Sequence, residues 1–190
     1  MSTSVERQAW LERAKLECDR LLGAAGCKVP ANVRVTIGFP STGGRSNRIG
    51  ECWSPEASSD RFAEVFISPR LIESVTILGT LTHELIHAGV GTKAGHGVAF
   101  KRPALAVGLV GKMTATTVGE PLKATFRAWI AEHGEYPAGG LLIDSRKKQT
   151  TRLLKCECGE CGYVVRVASK WLAEAGAPIC PTDAEPMVPA

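Results

Sequence analysis

The run Thr82-His83-Glu84-Leu85-Ile86-His87 constrains this chain more than any other stretch. Two histidines four residues apart share one face of a helix, so both imidazoles can point at a single ion. Leu78, Leu81 and Leu85 recur at helical spacing on roughly the opposite side and supply an apolar face. Glu84 stands one step round from His83, within reach of a water held by that ion without being a ligand itself. The pattern predicts a helix that looks into a site on one side and a core on the other. Hydrogen-bonded core histidines would fit the helix as well. The glutamate and a downstream histidine, His96 in Gly95-His96-Gly97, favour a zinc site.

The third ligand sets the subtype. A metzincin would carry Gly at 90 and His at 93, where this chain has Val90 and Lys93. His96 comes slightly later, after Gly89, Gly91 and Gly95, which let the chain turn back toward the metal. His133 competes for the role but lies in a separate amphipathic segment beside Gly134, where a structural role is the better expectation.

His83-Glu84-Leu85-Ile86-His87 followed by His96-Gly97-Val98-Ala99-Phe100 resembles the H-E-x-x-H … H-G-x-x-F signature of SprT-like zinc metallopeptidases. That family includes the Spartan proteases, which cleave proteins crosslinked to DNA. The resemblance implies that His83, His87 and His96 bind a catalytic zinc and that Glu84 is the catalytic glutamate. Val65-Phe66-Ile67-Ser68-Pro69 before the helix and a cysteine-rich tail after it fit the same layout.

Three histidines leave one position on zinc for water, whose pKa the metal lowers toward neutrality. Glu84 would take a proton from that water as it attacks a peptide carbonyl and hand it to the leaving amine. Lys101 and Arg102 are candidates for a second oxyanion donor, although exposed helix charges explain them as well.

Seven cysteines is an odd number, and four of them lie between 156 and 180. Such clustering favours metal binding in a reducing compartment over a disulfide framework; Cys18, Cys27 and Cys52 read as isolated thiols. Cys158-x-x-Cys161-Gly has zinc-knuckle spacing, and Cys180-Pro181-Thr182-Asp183 offers a second knuckle. SprT-like proteins often carry such a C-terminal ribbon, with cysteine or histidine where Asp183 stands. Asp183 is slightly favoured as the fourth ligand of a structural zinc, Cys156 is its rival, and a ribbon without metal is the third alternative.

The first twenty residues mix acidic and basic side chains and are no signal peptide, and no apolar run approaches a membrane span. A cytoplasmic protein with no membrane contact is expected. Between Arg146 and Trp171 seven basic residues (Arg146, Lys147, Lys148, Arg152, Lys155, Arg166, Lys170) face two acidic ones (Glu157, Glu160). With Tyr163 and Trp171 they make the tail a candidate surface for single-stranded or damaged DNA, though both rings could instead pack in the ribbon.

In chain order, residues 5–22 read as an amphipathic helix with Ala9, Leu11, Ala14, Leu16 and Leu21 on its apolar face. Strands are expected at 33–37, 50–53 and 64–67, forming a small antiparallel sheet ahead of the metal helix. Residues 98–107 are apolar but interrupted by Pro103, residues 108–119 read as a Gly- and Thr-rich loop near the site, and a helix follows from Glu120 to about Gly134. The expected fold class is α+β: a zincin-like SprT metallopeptidase domain over residues 1–140, then a basic linker and small zinc β-ribbon over 141–190. A protein or peptide substrate is expected. Two other classes stay open, a nucleic-acid-binding adapter with structural zinc sites and a zinc hydrolase of non-peptide substrates. A purely structural site, however, gains nothing from Glu84.

Overall fold

The computed structural model describes residues 4–44, 47–143 and 153–189. The fold class is mixed α and β, divided into two compact units, Met1–Ile143 and Asp144–Ala190. The division falls later than Gly140. Pro137 and the glycines at 139 and 140 end regular structure, yet the Leu141 N–H still donates to the Pro69 carbonyl at 2.8 Å.

The first unit is built around helix α2 (Ser74–Val90), which buries most of its surface. Glu73 caps it by accepting hydrogen bonds from the N–H groups of Val75 and Thr76. Helix α1 (Ser4–Ala24) packs Trp10, Leu11, Ala14, Cys18 and Leu22 into the core. That stripe differs from the sequence expectation: Ala9 and Leu16 are exposed, because Trp10, Cys18 and Leu22 define the buried side. Trp10 fixes the angle of α1 by donating from Nε1 to the Gly134 carbonyl at 2.9 Å.

Strands β1 (Val33–Ile37), β2 (Gly50–Trp53) and β3 (Ala63–Ile67) form one sheet in the order β1-β3-β2. The sheet is mixed, not antiparallel. β1 and β3 run parallel from Val33↔Ala63 to Ile37↔Ile67, and β2 runs antiparallel to β3 on its other edge. Alternating burial (Val33 and Val35; Ala63, Val65 and Ile67) marks β1 and β3, but the same alternation suits either pairing direction.

Helix α3 (Val98–Val107) runs through Pro103 without a break. Pro103 forgoes one helical hydrogen bond, to the carbonyl of Ala99, and is buried against the core. Gly108, at φ 103°, then turns the chain by adopting a left-handed conformation that favours glycine.

Residues 109–118 are a second correction. They form a hairpin, β4 (Leu109–Lys112) and β5 (Ala115–Val118), in place of the expected loop. Threonine is a strand-forming residue, and Gly111 conceals the alternation. The hairpin lies directly on α2: a methyl at Gly79 would stand 2.4 Å from Val118 Cγ2. Helix α4 (Glu120–His133) closes the core with Leu122, Phe126, Trp129 and Ile130.

The second unit contains β6 (Leu153–Glu157), β7 (Val164–Ala168), a short helix α5 (Ser169–Ala175) and β8 (Val188–Pro189), with sheet order β7-β6-β8. Its small core holds Cys156, Cys158, Cys180 and Met187. Arg146, Lys147, Lys148 and Arg152 of the basic stretch lie outside the described residues. Among those described, no helix is long and apolar enough to cross a membrane.

Candidate metal centre

His83 and His87 stand one turn apart on α2, and His96 reaches them from the connection to α3. Glycines at both ends of the 3-10 turn Thr92–Ala94, Gly91 (φ 85°) and Gly95 (φ 53°), reverse the chain there. The three side chains present the same nitrogen: His83 Nε2 and His87 Nε2 each lie 3.2 Å from His96 Nε2. Two nitrogens on a tetrahedral zinc at 2.0–2.1 Å would be roughly 3.3 Å apart, so the donor set fits such an ion. His83, His87 and His96 form a group able to hold a metal ion.

Phe100 of α3 packs beneath all three, with ring centroids 4.7, 4.5 and 4.9 Å from those of His83, His87 and His96. Burial pushes His83 down to about 3 and His87 down to about 4; His87 and His96 lower His83 further, and His96 lowers His87. His96 is lowered by burial too. The imidazoles are therefore neutral at pH 7, with lone pairs free for coordination. On its other side His83 meets the β4–β5 hairpin, Nδ1 standing 2.8 Å from Thr116 Oγ1.

Glu84 lies beside this group, buried between α2 and β2. Its carboxyl is pushed up to about 8, by burial first and by the Glu51 carboxylate second, while Arg48 and the Cys52 N–H oppose the shift. The strand approaches closely because position 50 is glycine. A methyl there would stand 2.6 Å from both Glu84 Oε1 and Thr80 Cγ2.

β2 is also an edge strand. The Ser68 N–H donates to the Ile49 carbonyl at 2.9 Å, which sets the ladder so that Glu51 and Trp53 bond inward to β3. Gly50 and Cys52 then turn their peptide groups to the open edge, where the Cys52 N–H donates to Glu84. A cleft of about 690 Å³ runs along this edge past the three histidines, with Arg48, Thr92 and Thr117 among its walls. Glu51 ties the neighbouring loop to the strand: it accepts from Ser41 N at 2.7 Å, Ser41 Oγ at 2.8 Å, Trp53 Nε1 at 3.0 Å, and from Arg48.

No protein family, curated protein or solved structure matches this chain. Its chemistry has to be read from the residues.

The remaining candidates fall outside the cleft. Lys101 and Arg102 are exposed on α3 and do not line it. His133 stacks on Trp129 at 4.5 Å and donates from Nδ1 to the Trp129 carbonyl at 3.0 Å, a structural role. Sequence reasoning missed Glu51 and Thr116. Glu51 left only the weak signal of a polar residue in a short strand, and Thr116 left none.

The second unit gathers Cys158, Cys161, Cys180 and Asp183 into another group able to hold a metal ion. Asp183 Oδ2 is 3.2 Å from Cys158 Sγ and 3.5 Å from Cys180 Sγ, and the Cys161 and Cys180 sulfurs are 3.6 Å apart. Cys156 is buried opposite Val165 and Pro189, outside this group. The two turns repeat one backbone form. Gly162 N donates to Cys158 O at 3.1 Å and Ala184 N to Cys180 O at 2.9 Å. Gly162 and Ala184 both take positive φ, 73° and 58°, so Asp183 occupies in the second turn the place of Cys161 in the first.

Proposed function

We infer that this chain is a zinc-dependent endopeptidase of the SprT-like kind, with a zincin-like catalytic unit and a C-terminal zinc ribbon. The observation that carries the reading is the convergence of three neutral imidazoles beside a buried carboxyl, along an open strand edge. His83, His87 and His96 would hold the catalytic zinc; Cys158, Cys161, Cys180 and Asp183 would hold a structural one. When bound, the catalytic ion supplies Lewis-acid chemistry, acidifying water and polarising a carbonyl.

The protein's own residues do the rest. The outward peptide groups of Gly50 and the Cys52 carbonyl offer an extended substrate a strand edge to pair with, while the Cys52 N–H is kept by Glu84, so recognition runs through the backbone. Glu84 takes the proton of the attacking water and delivers it to the leaving amine. Glu84 would lose proton affinity beside the charge of a zinc ion held by the three histidines, which favours the carboxylate that accepts a proton and returns it. Glu51 holds β2 and the loop beside it in place through Ser41, Trp53 and Arg48. The test is hydrolysis of a denatured protein by the zinc-loaded chain, with loss on chelation and with Glu84→Gln. Hydrolysis of an ester or amide panel without any peptide cleavage would move the assignment to a non-peptide hydrolase.

A contact with single-stranded DNA by the second unit belongs to the same reading. Its rings are not packed in the ribbon core: Tyr163 is 46% and Trp171 57% exposed, with Lys170 Nζ 5.0 Å from the Trp171 ring centre. Exposed rings beside basic side chains stack on unpaired bases and neutralise phosphates. The substrates would then be proteins associated with DNA.

A further inference from the structure

We propose that Thr116 is a positioning residue for the metal centre: its hydroxyl selects the tautomer of His83, making the β4–β5 hairpin part of the site. The inference rests on the reading of the three histidines as a zinc site and concerns how one of them is held ready.

A neutral imidazole carries its proton on one nitrogen and offers the other to a metal. In water the proton favours Nε2, the nitrogen that all three histidines here turn toward each other. A partner that accepts the proton of Nδ1 shifts the balance toward the tautomer whose Nε2 can bind a metal. For His83 that partner is Thr116 Oγ1, 2.8 Å from Nδ1. With the Nε2 lone pair given to a metal, Nδ1 carries the proton and the hydroxyl accepts it. Among the described residues, no protein side chain or carbonyl bonds the Nδ1 of His87 or of His96, so His83 alone is oriented in this way. His87 instead lies tilted over Phe100 at 4.5 Å.

The hairpin is built to hold this hydroxyl still. Thr116 is β-branched, so its χ1 has few choices on a strand. Its cross-strand partner is Gly111, which has no side chain to crowd the same face. Gly79 lets Val118 settle against α2, which fixes the distance between the hairpin and the helix that bears His83. An outer partner of this type orients a ligand and raises its basicity, and losing one costs metal affinity.

Zinc affinity of the full chain, measured by chelator competition for the parent, Thr116→Val and Thr116→Ser, tests the proposal. His87→Ala identifies which step of the titration belongs to the three-histidine site. Thr116→Val keeps the shape of the strand residue and removes the acceptor. Its dissociation constant at this site should rise about ten- to a hundredfold, while Thr116→Ser stays within about threefold of the parent. Nitrogen-15 shifts of His83 in the zinc-free protein give a second readout. The parent should show the proton on Nδ1, and Thr116→Val should move it largely to Nε2. Equal zinc affinity in the parent and Thr116→Val, an unchanged tautomer, or a serine variant as weak as valine overturns the proposal. A parent that takes up no zinc at the three histidines sinks the hydrolase reading and this inference together. A parent that binds zinc and is indifferent to Thr116→Val sinks the inference alone.

Discussion

Gly50 and Glu84 touch across the gap between β2 and α2, and the absence of a side chain at 50 is what gives the carboxyl its place. A methyl there would meet Glu84 Oε1 at 2.6 Å and Glu84 Cγ at 2.9 Å. No positive φ is involved, so alanine is acceptable to the backbone and the conflict falls on the side chains of Glu84 and Thr80. Gly50→Ala should leave zinc content at the parent level and lower peptide hydrolysis about 10- to 100-fold, as expected for a misplaced catalytic group. Metal analysis beside a cleavage assay checks both halves. Unchanged hydrolysis would mean that the position of Glu84 does not matter.

Glu84→Gln keeps the side-chain shape and removes the base. Hydrolysis should fall on the order of 10²-fold or more with zinc retained. Activity close to the parent would point to another base.

Metal content separates the two centres. The purified chain should hold about two zinc ions, one for each group of ligands. His87→Ala should remove one, and Cys158→Ser with Cys161→Ser the other. The second variant should also lose the fold of its unit, because a core of Cys156, Cys158, Cys180 and Met187 is too small to stand without a metal. One ion that survives His87→Ala would show the three-histidine centre to be misread.

Protonation gives the metal-free protein a pH signature. Folded Glu84 keeps its proton up to about 8, whereas the unfolded side chain releases it near 4.5. The folded state thus binds more protons in that window, and this contribution to stability is lost as pH rises through it. His83 and His87 work the other way. Folding depresses them from 6.5 to about 3 and about 4, so their contribution is lost as pH falls below 6.5. Denaturant unfolding with a chelator present should show the parent losing stability relative to Glu84→Gln between about pH 4.5 and 8. A constant difference across that range would contradict the burial of Glu84.

For the second unit the measurement is single-stranded DNA affinity across a salt series. Tyr163→Ala with Trp171→Ala in the full chain should weaken binding by about 1–3 kcal/mol for each base that loses its stacking partner. The salt slope should stay as it was, since the phosphate contacts are kept. Equal affinity in the parent and the double variant would exclude the rings from binding.

What the sequence determined by itself is local. Spacing of four placed His83 and His87 on one helical face, glycines around 91–95 marked the reversal that returns His96, and C-x-x-C spacing drew the first metal turn. Alternation outlined β1, short strands were expected at 50–53 and 64–67, where β2 and most of β3 lie, and Pro121 and Gly134 bracketed α4. Each of these signals is carried by residues a few positions apart, where backbone geometry alone decides the outcome. Tertiary structure decided whatever depends on distant segments meeting. The parallel pairing of β1 with β3 could not be read, because alternation is blind to strand direction. The hairpin at 109–118 exists through its packing on Gly79, and only that packing brings Thr116 to His83. Asp183 joins the three cysteines, and Cys156 does not, because β6 turns Cys156 into the small core. The raised affinity of Glu84 for its proton likewise arises from β2 closing over it, a contact between residues far apart in the chain.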